Sequence, residues 1–263
     1  MSNMHVIRGL AVTAMAIGAV VGTVVGPAGA ASAAPANPTC NSNSGSTWDG
    51  WQWIPGSSNH LYGVRAPVKL RTDGLLCTNS KNNSTSSVWI AIQATNGSGF
   101  VQIGFIHKFN SSGVGEWCRF WENNNNLPQA YDCGNDADDT QVYFRIEQVC
   151  TAFGCNYATE DCGTGGDFTN CNVKDSSIAI FSSPAVAVNS EAHFWCDVRM
   201  MGQGSDRVWY GNSTWATSID DNSGWSKNRT YANYAGGNQC TSDYMKDNAG
   251  GGLLRTWDSR NTS

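Results

Sequence analysis

Residues 86–107 read SSVWIAIQATNGSGFVQIGFIH and place two apolar stretches on either side of a glycine-rich turn. Alternation of side chains along a strand would put Val101, Ile103 and Phe105 on one face and Gln102 on the other. A short turn rich in Asn and Gly between two β-prone stretches is typical of a β-hairpin. The stretch therefore predicts a hairpin with one apolar face for a core and a glutamine on the opposite face.

Similar short stretches recur along the chain and are separated by loops rich in Asn, Gly and Ser. No stretch combines a 3.6-residue apolar period with helix caps, so helices are not expected. Many short strands with regular turns favour an all-β fold, an antiparallel β-sandwich or barrel. The predicted strands are 62–70, 87–93, 99–107, 115–122, 140–149, 176–182, 185–198 and 206–210.

The beginning of the chain has the pattern of a secretory signal peptide. Arg8 precedes an apolar run, and Ala31-Ser32-Ala33 fits the small-residue pattern of a cleavage site. The protein is therefore expected to be secreted and extracellular. The expected segments are a signal peptide at 1–33, a polar spacer at 34–47, a β-sandwich domain at 48–217 and an Asn- and Gly-rich extension at 218–263 packed on that domain.

The chain has ten cysteines, all of them after the predicted signal peptide. An even number of cysteines in an exported chain indicates that disulfides staple the fold. Spacing permits the local pairs Cys118–Cys133 and Cys162–Cys171 without fixing the connectivity. The stretch 150–175 is expected to form one long disulfide-bound loop between strands. No metal site is expected, because its cysteines lack CxxC spacing and no histidine lies nearby.

Charge composition argues against nucleic acid as a partner. The chain has 16 Lys and Arg against 21 Asp and Glu, a formal net charge of −5, so no basic surface is expected. No apolar run after the predicted signal peptide is long enough to span a bilayer. The processed protein is expected to be a monomer without a membrane span and without a cofactor.

Several hydrolytic mechanisms lack their sequence signals. Gly97-Ser98-Gly99 is a hairpin turn rather than a nucleophile elbow, and no His-Glu-x-x-His zinc motif occurs. If all ten cysteines pair, no thiol remains to act as a nucleophile. The acidic stretch 136–139 is interpreted as a solvated turn, because it supplies too few oxygens for calcium.

A second polar position lies on the later strand at 185–198, where alternation puts Glu191, His193 and Trp195 on one face. A face that mixes aromatic and polar side chains suits either a ligand groove or an ordinary solvated sheet. In a groove, Glu191 could exchange protons with water and a leaving amine while Gln102 donates a hydrogen bond to the oxyanion. A glycosidase would instead need two carboxylates, drawn here from different strands.

The order of these segments resembles the glutamic peptidase family, the eqolisins. The resemblance covers about residues 60 to 217 and includes an aromatic-Gly start, a Trp strand, a glutamine strand, an aromatic strand, a glutamate strand and a closing strand. The matching stretches are Tyr62-Gly63-Val64, Val88-Trp89-Ile90-Ala91-Ile92, Val101-Gln102-Ile103-Gly104, Trp117-Cys118-Arg119-Phe120-Trp121-Glu122, Asn189-Ser190-Glu191-Ala192-His193-Phe194 and Val208-Trp209-Tyr210.

This resemblance implies a concanavalin-like β-sandwich of two bent antiparallel sheets. It also implies an acid-type endopeptidase that acts on polypeptides, with Gln102 as the oxyanion donor and Glu191 as the general acid and base. The candidate substrate-binding residues are Trp89, Trp121, His193 and Trp195.

The alternative is a non-catalytic secreted sandwich that binds polysaccharide or another cell-surface ligand. Aromatic faces pack against sugar rings, and an indole N–H can donate a hydrogen bond to them. The residues expected to bind polysaccharide are Trp117, Trp121, Trp195 and Trp209.

Overall fold

The computed structural model shows an all-β protein, and its two antiparallel sheets confirm the predicted sandwich. Within the described part of the chain, no helix is long and apolar enough to cross a membrane. The described residues are 39, 45–56, 60–79, 84–124, 130–134, 136–193, 198–212, 214–221, 223–227, 229–237 and 244–261.

Among the described residues the first sheet has seven strands, and it contains the opening hairpin near its middle. In that hairpin the turn includes Gly97 with φ +73°, a left-handed conformation that glycine adopts without steric cost. In spatial order its strands are β14 (Ala232–Gly237), β1 (Ser46–Trp53), β10 (Pro184–His193), β3 (Thr85–Ala94), β4 (Phe100–Phe109), β5 (Gly115–Asn123) and β6 (Ala130–Asp132).

The second sheet packs against the first and closes the sandwich. A short pair of strands, β12 (Ser218–Asp221) and β13 (Gly224–Ser226), joins it through β2 (Gly63–Lys69). In spatial order its main strands are β15 (Tyr244–Asn248), β16 (Leu254–Asp258), β11 (Val208–Tyr210), β2 (Gly63–Lys69), β7 (Gln141–Thr151), β8 (Gly154–Asp161) and β9 (Asn172–Ala179).

The hydrophobic core lies between the two sheets. Val101, Ile103 and Phe105 of β4 are buried there, as alternation predicts. The ring of Phe105 meets Phe144 of the second sheet edge to face, with 5.4 Å between ring centroids. Because one face of the first sheet is committed to this core, the side chains between these positions project from its opposite face.

Two parts of the sheets were not expected as strands. Residues 46–53 form β1, although Gly50 and Asp49 interrupt its apolar pattern, and this strand pairs with β10 along its length. The extension 218–263, expected to pack on the outside of the domain, supplies β14 to the first sheet and β15 and β16 to the second. Its main-chain hydrogen bonds to other strands place it within the sandwich, despite its low apolar content.

The prediction of one long loop at 150–175 is wrong. Residues 154–161 form β8, which pairs with β7 in the second sheet. This strand carries few aliphatic residues, and its buried Glu160 instead forms an ion pair with Arg145 of β7. A cross-strand ion pair can stabilise a strand that has few apolar residues. Such a strand has no apolar pattern by which it could be predicted from the sequence.

Disulfides close neighbouring segments of both sheets. The local pairs Cys118–Cys133 and Cys162–Cys171 are formed, and Cys150 pairs with Cys155 across the turn between β7 and β8. Cys77 is also disulfide-bonded, and no described cysteine is free. Cross-links of this kind stabilise a folded domain mainly by restricting its unfolded chain.

The buried side chain of His107 makes the fold sensitive to acid. Its Nδ1 lies 3.1 Å from the carbonyl oxygen of Gly74, and its ring stacks on Trp117 with 3.8 Å between centroids. Burial lowers the pKa of His107 from 6.5 to about 4. Protons therefore bind the unfolded chain preferentially. The contribution of the neutral His107 ring to the unfolding free energy is complete above pH 6.5 and is lost as the pH falls towards 4.

Between pH 7 and pH 4, the acid-induced decrease in the free energy of unfolding is expected to be about 3 kcal/mol smaller in His107→Phe than in the wild type. Phenylalanine retains the stacking on Trp117 but cannot be protonated. Free energies of unfolding in urea at the two pH values measure the difference. His60→Phe, at an exposed histidine, is the matched control. An equal acid loss in the wild type and in His107→Phe would contradict the prediction.

Candidate active site

A cavity of about 670 Å³ lies on the face of the first sheet that points away from the core, and we call it the cleft. No Lys or Arg is among its described lining residues, so its fixed charges are carboxylates. Its polar and aromatic lining includes Trp48, Trp89, Gln102, Glu122, Glu191, His193 and Tyr234.

The positions of Gln102 and Glu191 follow from strand alternation. On β4 the neighbours of Gln102 are core residues, so its amide projects into the cleft. On β10 the neighbours of Glu191 are Ser190 and Ala192, which are fully buried, and its carboxylate likewise lines the cleft. The structure therefore brings both predicted residues to one cavity, from strands that flank β3.

The carboxylate of Glu191 has a hydrogen-bond donor or ring nitrogen at each oxygen. Trp89 Nε1 donates to Oε2 over 3.2 Å, and His193 Nε2 lies 3.4 Å from Oε1. The side chain of Glu191 is 18% exposed, so it is held in place yet reached by solvent. This arrangement fixes the orientation of a carboxylate that can still exchange a proton with water.

His193 is electrostatically coupled to the acids of the cleft. Burial disfavours the protonated ring, but the hydrogen bond to Glu191 and the charges of Glu191 and Glu122 outweigh it and raise the pKa of His193 above its ordinary value. The imidazolium form is therefore favoured under acidic conditions, next to the carboxylate of Glu191.

Ser46 also contacts His193, without the geometry of a serine nucleophile. Its Oγ is 3.2 Å from Nδ1 and 3.3 Å from Nε2 of the ring. Near-equal distances to both nitrogens mean that the hydroxyl is not aligned with the lone pair of either one. A general base needs one such aligned hydrogen bond to activate a hydroxyl.

The amide of Gln102 is paired with a second glutamate. Gln102 Nε2 donates to Glu122 Oε2 over 2.8 Å, and both residues are 8% exposed. The two residues are directly opposite each other on β4 and β5. Gln102 and Glu191 both line the cleft, but the amide of Gln102 donates to Glu122 and not to Glu191.

The four candidate substrate-binding residues have different positions. Trp89 and His193 line the cleft. Trp121 does not: it pairs with Ile103 across β4 and β5 and packs against the core. Because Glu122 points into the cleft, alternation sends Trp121 to the other face of β5. Trp195 lies outside the described residues.

The tryptophans expected to bind polysaccharide do not share one exposed face in the described structure. Trp117 stacks on His107 and packs against the core. Trp209 is on β11 in the second sheet, beneath the guanidinium of Arg255 at 4.7 Å from the ring. The polysaccharide-binding surface assigned to these side chains is therefore not formed by Trp117, Trp121 and Trp209 together.

Three residues of the cleft were missed from the sequence. Glu122 could have been found, because a hairpin turn centred near residue 112 places residue 122 opposite residue 102. Trp48 belongs to the unexpected strand β1, directly opposite Glu191. Tyr234 lies in the Gly-rich strand β14, where nothing in the sequence pattern indicated a site.

A separate group of Glu116, Cys118 and Cys133 has its ligand-type atoms within 4.8 Å of one another. The two sulfurs are joined in a disulfide, so they are not thiolates that could bind a metal.

Comparison with protein-family models finds no match, and comparison with curated proteins finds none. Among solved structures, the chain is similar to one described as the crystal structure of scytalido-glutamic peptidase with a transition state analog inhibitor. The similarity covers 82% of this chain and 100% of that chain, with 11% sequence identity and a TM-score of 0.49. This similarity gives no function, and the side chains of the cleft are the observations that bear on one.

Proposed function

We propose that the cleft hydrolyses peptide bonds, with Glu191 as general acid and base and Gln102 as oxyanion donor. The observation that carries this proposal is that a solvent-reached carboxylate and a side-chain amide line the same cavity. Peptide hydrolysis needs one group that moves a proton and one that stabilises negative charge on oxygen. Glu191 and Gln102 are of the chemical types that supply these two functions.

In the proposed reaction, Glu191 takes a proton from water as the water oxygen attacks the carbonyl carbon of the substrate. The carbonyl electron pair moves to its oxygen, where an N–H of Gln102 donates a hydrogen bond. The carbon–nitrogen bond then breaks, and Glu191 returns the proton to the departing amine. No covalent intermediate with the protein is needed, because water is the nucleophile.

The lining of the cleft supports a polypeptide as the substrate. Gln52 and Gln93 add two more side-chain amides, which can both donate to and accept from a peptide main chain. Trp48, Trp89 and Tyr234 supply aromatic surface for apolar side chains. The carboxylates would favour neutral or basic peptides over acidic ones.

The disulfides and the predicted signal peptide support secretion of this peptidase, because disulfides persist in oxidising compartments. We propose that it acts outside the cell as a monomer and without a cofactor. An acidic pH optimum is part of the same proposal. It follows the resemblance of the sequence motifs to acid-type peptidases.

A second candidate is glycan hydrolysis, which one specific observation favours. Glu122 and Glu191 are two carboxylates on different strands that line the same cleft. Glycosidases use such a pair as acid and as nucleophile or base. In this reaction Gln102 would have no essential chemical role, and that difference separates the two candidates.

The test incubates residues 34–263 with an unfolded protein and, in parallel, with insoluble polysaccharides, from acidic to neutral pH. The peptidase proposal expects new peptides from the unfolded protein and about a 10²-fold lower rate with Gln102→Ala. If sugars are released from a polysaccharide, and Gln102→Ala still releases them, the second candidate would be favoured. If a protein that is folded by circular dichroism forms neither peptides nor sugars, both candidate functions would be contradicted.

A further inference from the structure

The pair formed by Gln102 and Glu122 lies on the sheet face that lines the cleft. The two are direct cross-strand partners, joined by a 2.8 Å hydrogen bond from Nε2 to Oε2, and each is 8% exposed. A buried hydrogen bond to a charged acceptor is among the stronger ones in proteins. We therefore treat the hydrogen bond between Gln102 and Glu122 as a stable interaction of the cleft and not as a transient surface contact.

An unrestrained glutamine is a poor oxyanion donor, because its amide can present either oxygen or nitrogen to the substrate. The two edges of the amide are nearly the same shape and differ only in donor and acceptor character. An ionised carboxylate accepts hydrogen bonds but donates none. Opposite Glu122, the NH2 group of Gln102 must therefore face the carboxylate, and the carbonyl oxygen must turn away.

We propose that Glu122 is the positioning residue for Gln102, fixing its amide so that one N–H is bound to Glu122 and the other is presented to the substrate oxygen. This inference rests on the proposed function, and it assigns a second glutamate of the cleft a role distinct from that of Glu191. The chemistry of the reaction stays with Glu191 and Gln102, and Glu122 acts only through the amide.

The variant Glu122→Gln tests this role, because glutamine has the shape of glutamate but can present a donor or an acceptor to Gln102. Presentation of the second N–H would then fall, and kcat is expected to drop about 10- to 100-fold with KM within about 2-fold. Glu116→Gln, on the same face of β5 and bonded to Lys108 instead, is the control and keeps its kcat.

A double-mutant cycle separates positioning from a direct role. If Glu122 acts through Gln102, adding Glu122→Gln to Gln102→Ala is expected to change kcat by less than about 2-fold. An equal drop in both backgrounds would overturn the proposal and assign Glu122 a structural or an acid–base role of its own. Full kcat in Glu122→Gln alone would also overturn it.

A measurement without substrate keeps the inference separate from the fate of the proposed function. The side-chain amide protons of Gln102 give a ¹H–¹⁵N NMR signal that reports their hydrogen bonding and protection from exchange. Glu122→Gln is expected to shift that signal and speed its exchange at least about 10-fold, while the signal of Gln52 stays in place. An unchanged Gln102 signal would overturn the positioning role, whatever the cleavage assays show. Cleavage unaffected by both Glu191→Gln and Gln102→Ala would contradict the function alone.

Discussion

Glu191→Gln is expected to lower kcat for peptide cleavage by about 10³-fold, the scale of a lost general acid and base. The substitution keeps the shape of the side chain, and its amide oxygen can still accept the hydrogen bond from Trp89. It cannot take a proton from water. Because the contact with Trp89 remains, KM is expected to change by less than about 3-fold.

The control for this prediction is a glutamate elsewhere on the same sheet. Glu116→Gln breaks the ion pair with Lys108 but leaves the lining of the cleft unchanged. Steady-state rates on one quenched fluorescent peptide, with both variants checked for folding by circular dichroism, give the comparison. If Glu191→Gln retained kcat within about 10-fold of the wild type, Glu191 would not be the proton carrier.

The second large effect is expected from Gly104→Ala, which tests how the floor of the cleft is built. Gly104 is directly opposite Trp89 on β3. A Cβ atom there would lie 2.7 Å from Trp89 Cα, and closer still to the carbonyl oxygen of Val88. Both are main-chain atoms, so relief requires the two central strands to separate. We expect a loss of more than about 3 kcal/mol of unfolding free energy.

Urea denaturation midpoints measure this loss. Gly56→Ala is the matched control, because a Cβ atom at Gly56 would meet nothing within 4 Å. The control is expected to unfold within about 0.5 kcal/mol of the wild type. Equal midpoints for Gly104→Ala and Gly56→Ala would show that β3 and β4 do not approach each other as closely as described.

Strand alternation explains why the two-layer fold could be predicted from the sequence. Val101, Ile103 and Phe105 had to share a face, and the structure buries all three between the sheets. The glycine-rich turn fixed the hairpin. Strand β8 escaped prediction because Glu160 is stabilised by Arg145, a partner that only the folded sheet provides. Strand β14 also has no apolar pattern, and its main-chain pairing with β1 exists only in the folded sheet.

The lining of the cleft was predicted in part, for the same physical reasons. Alternation correctly placed Gln102 and Glu191 on the side away from the core, since each has buried core neighbours. Alternation also removes Trp121 from the cleft, because the neighbouring Glu122 faces the cleft. The sequence alone did not show which of these two side chains faces the cleft and which faces the core. The approach of Trp48 to Glu191 depends on β1 pairing with β10, whose paired residues are at least 133 positions apart in the chain. No local pattern encodes such a pairing.

Peptide hydrolysis by Glu191 is tested by mass spectrometry of an unfolded protein incubated with residues 34–263 in H₂¹⁸O. We expect new peptides whose carboxyl termini carry ¹⁸O, formed by the wild type at acidic pH and absent with Glu191→Gln prepared in the same way. Intact substrate at every pH, or identical labelled peptides from the wild type and Glu191→Gln, would contradict the claim that this cleft hydrolyses peptide bonds through Glu191.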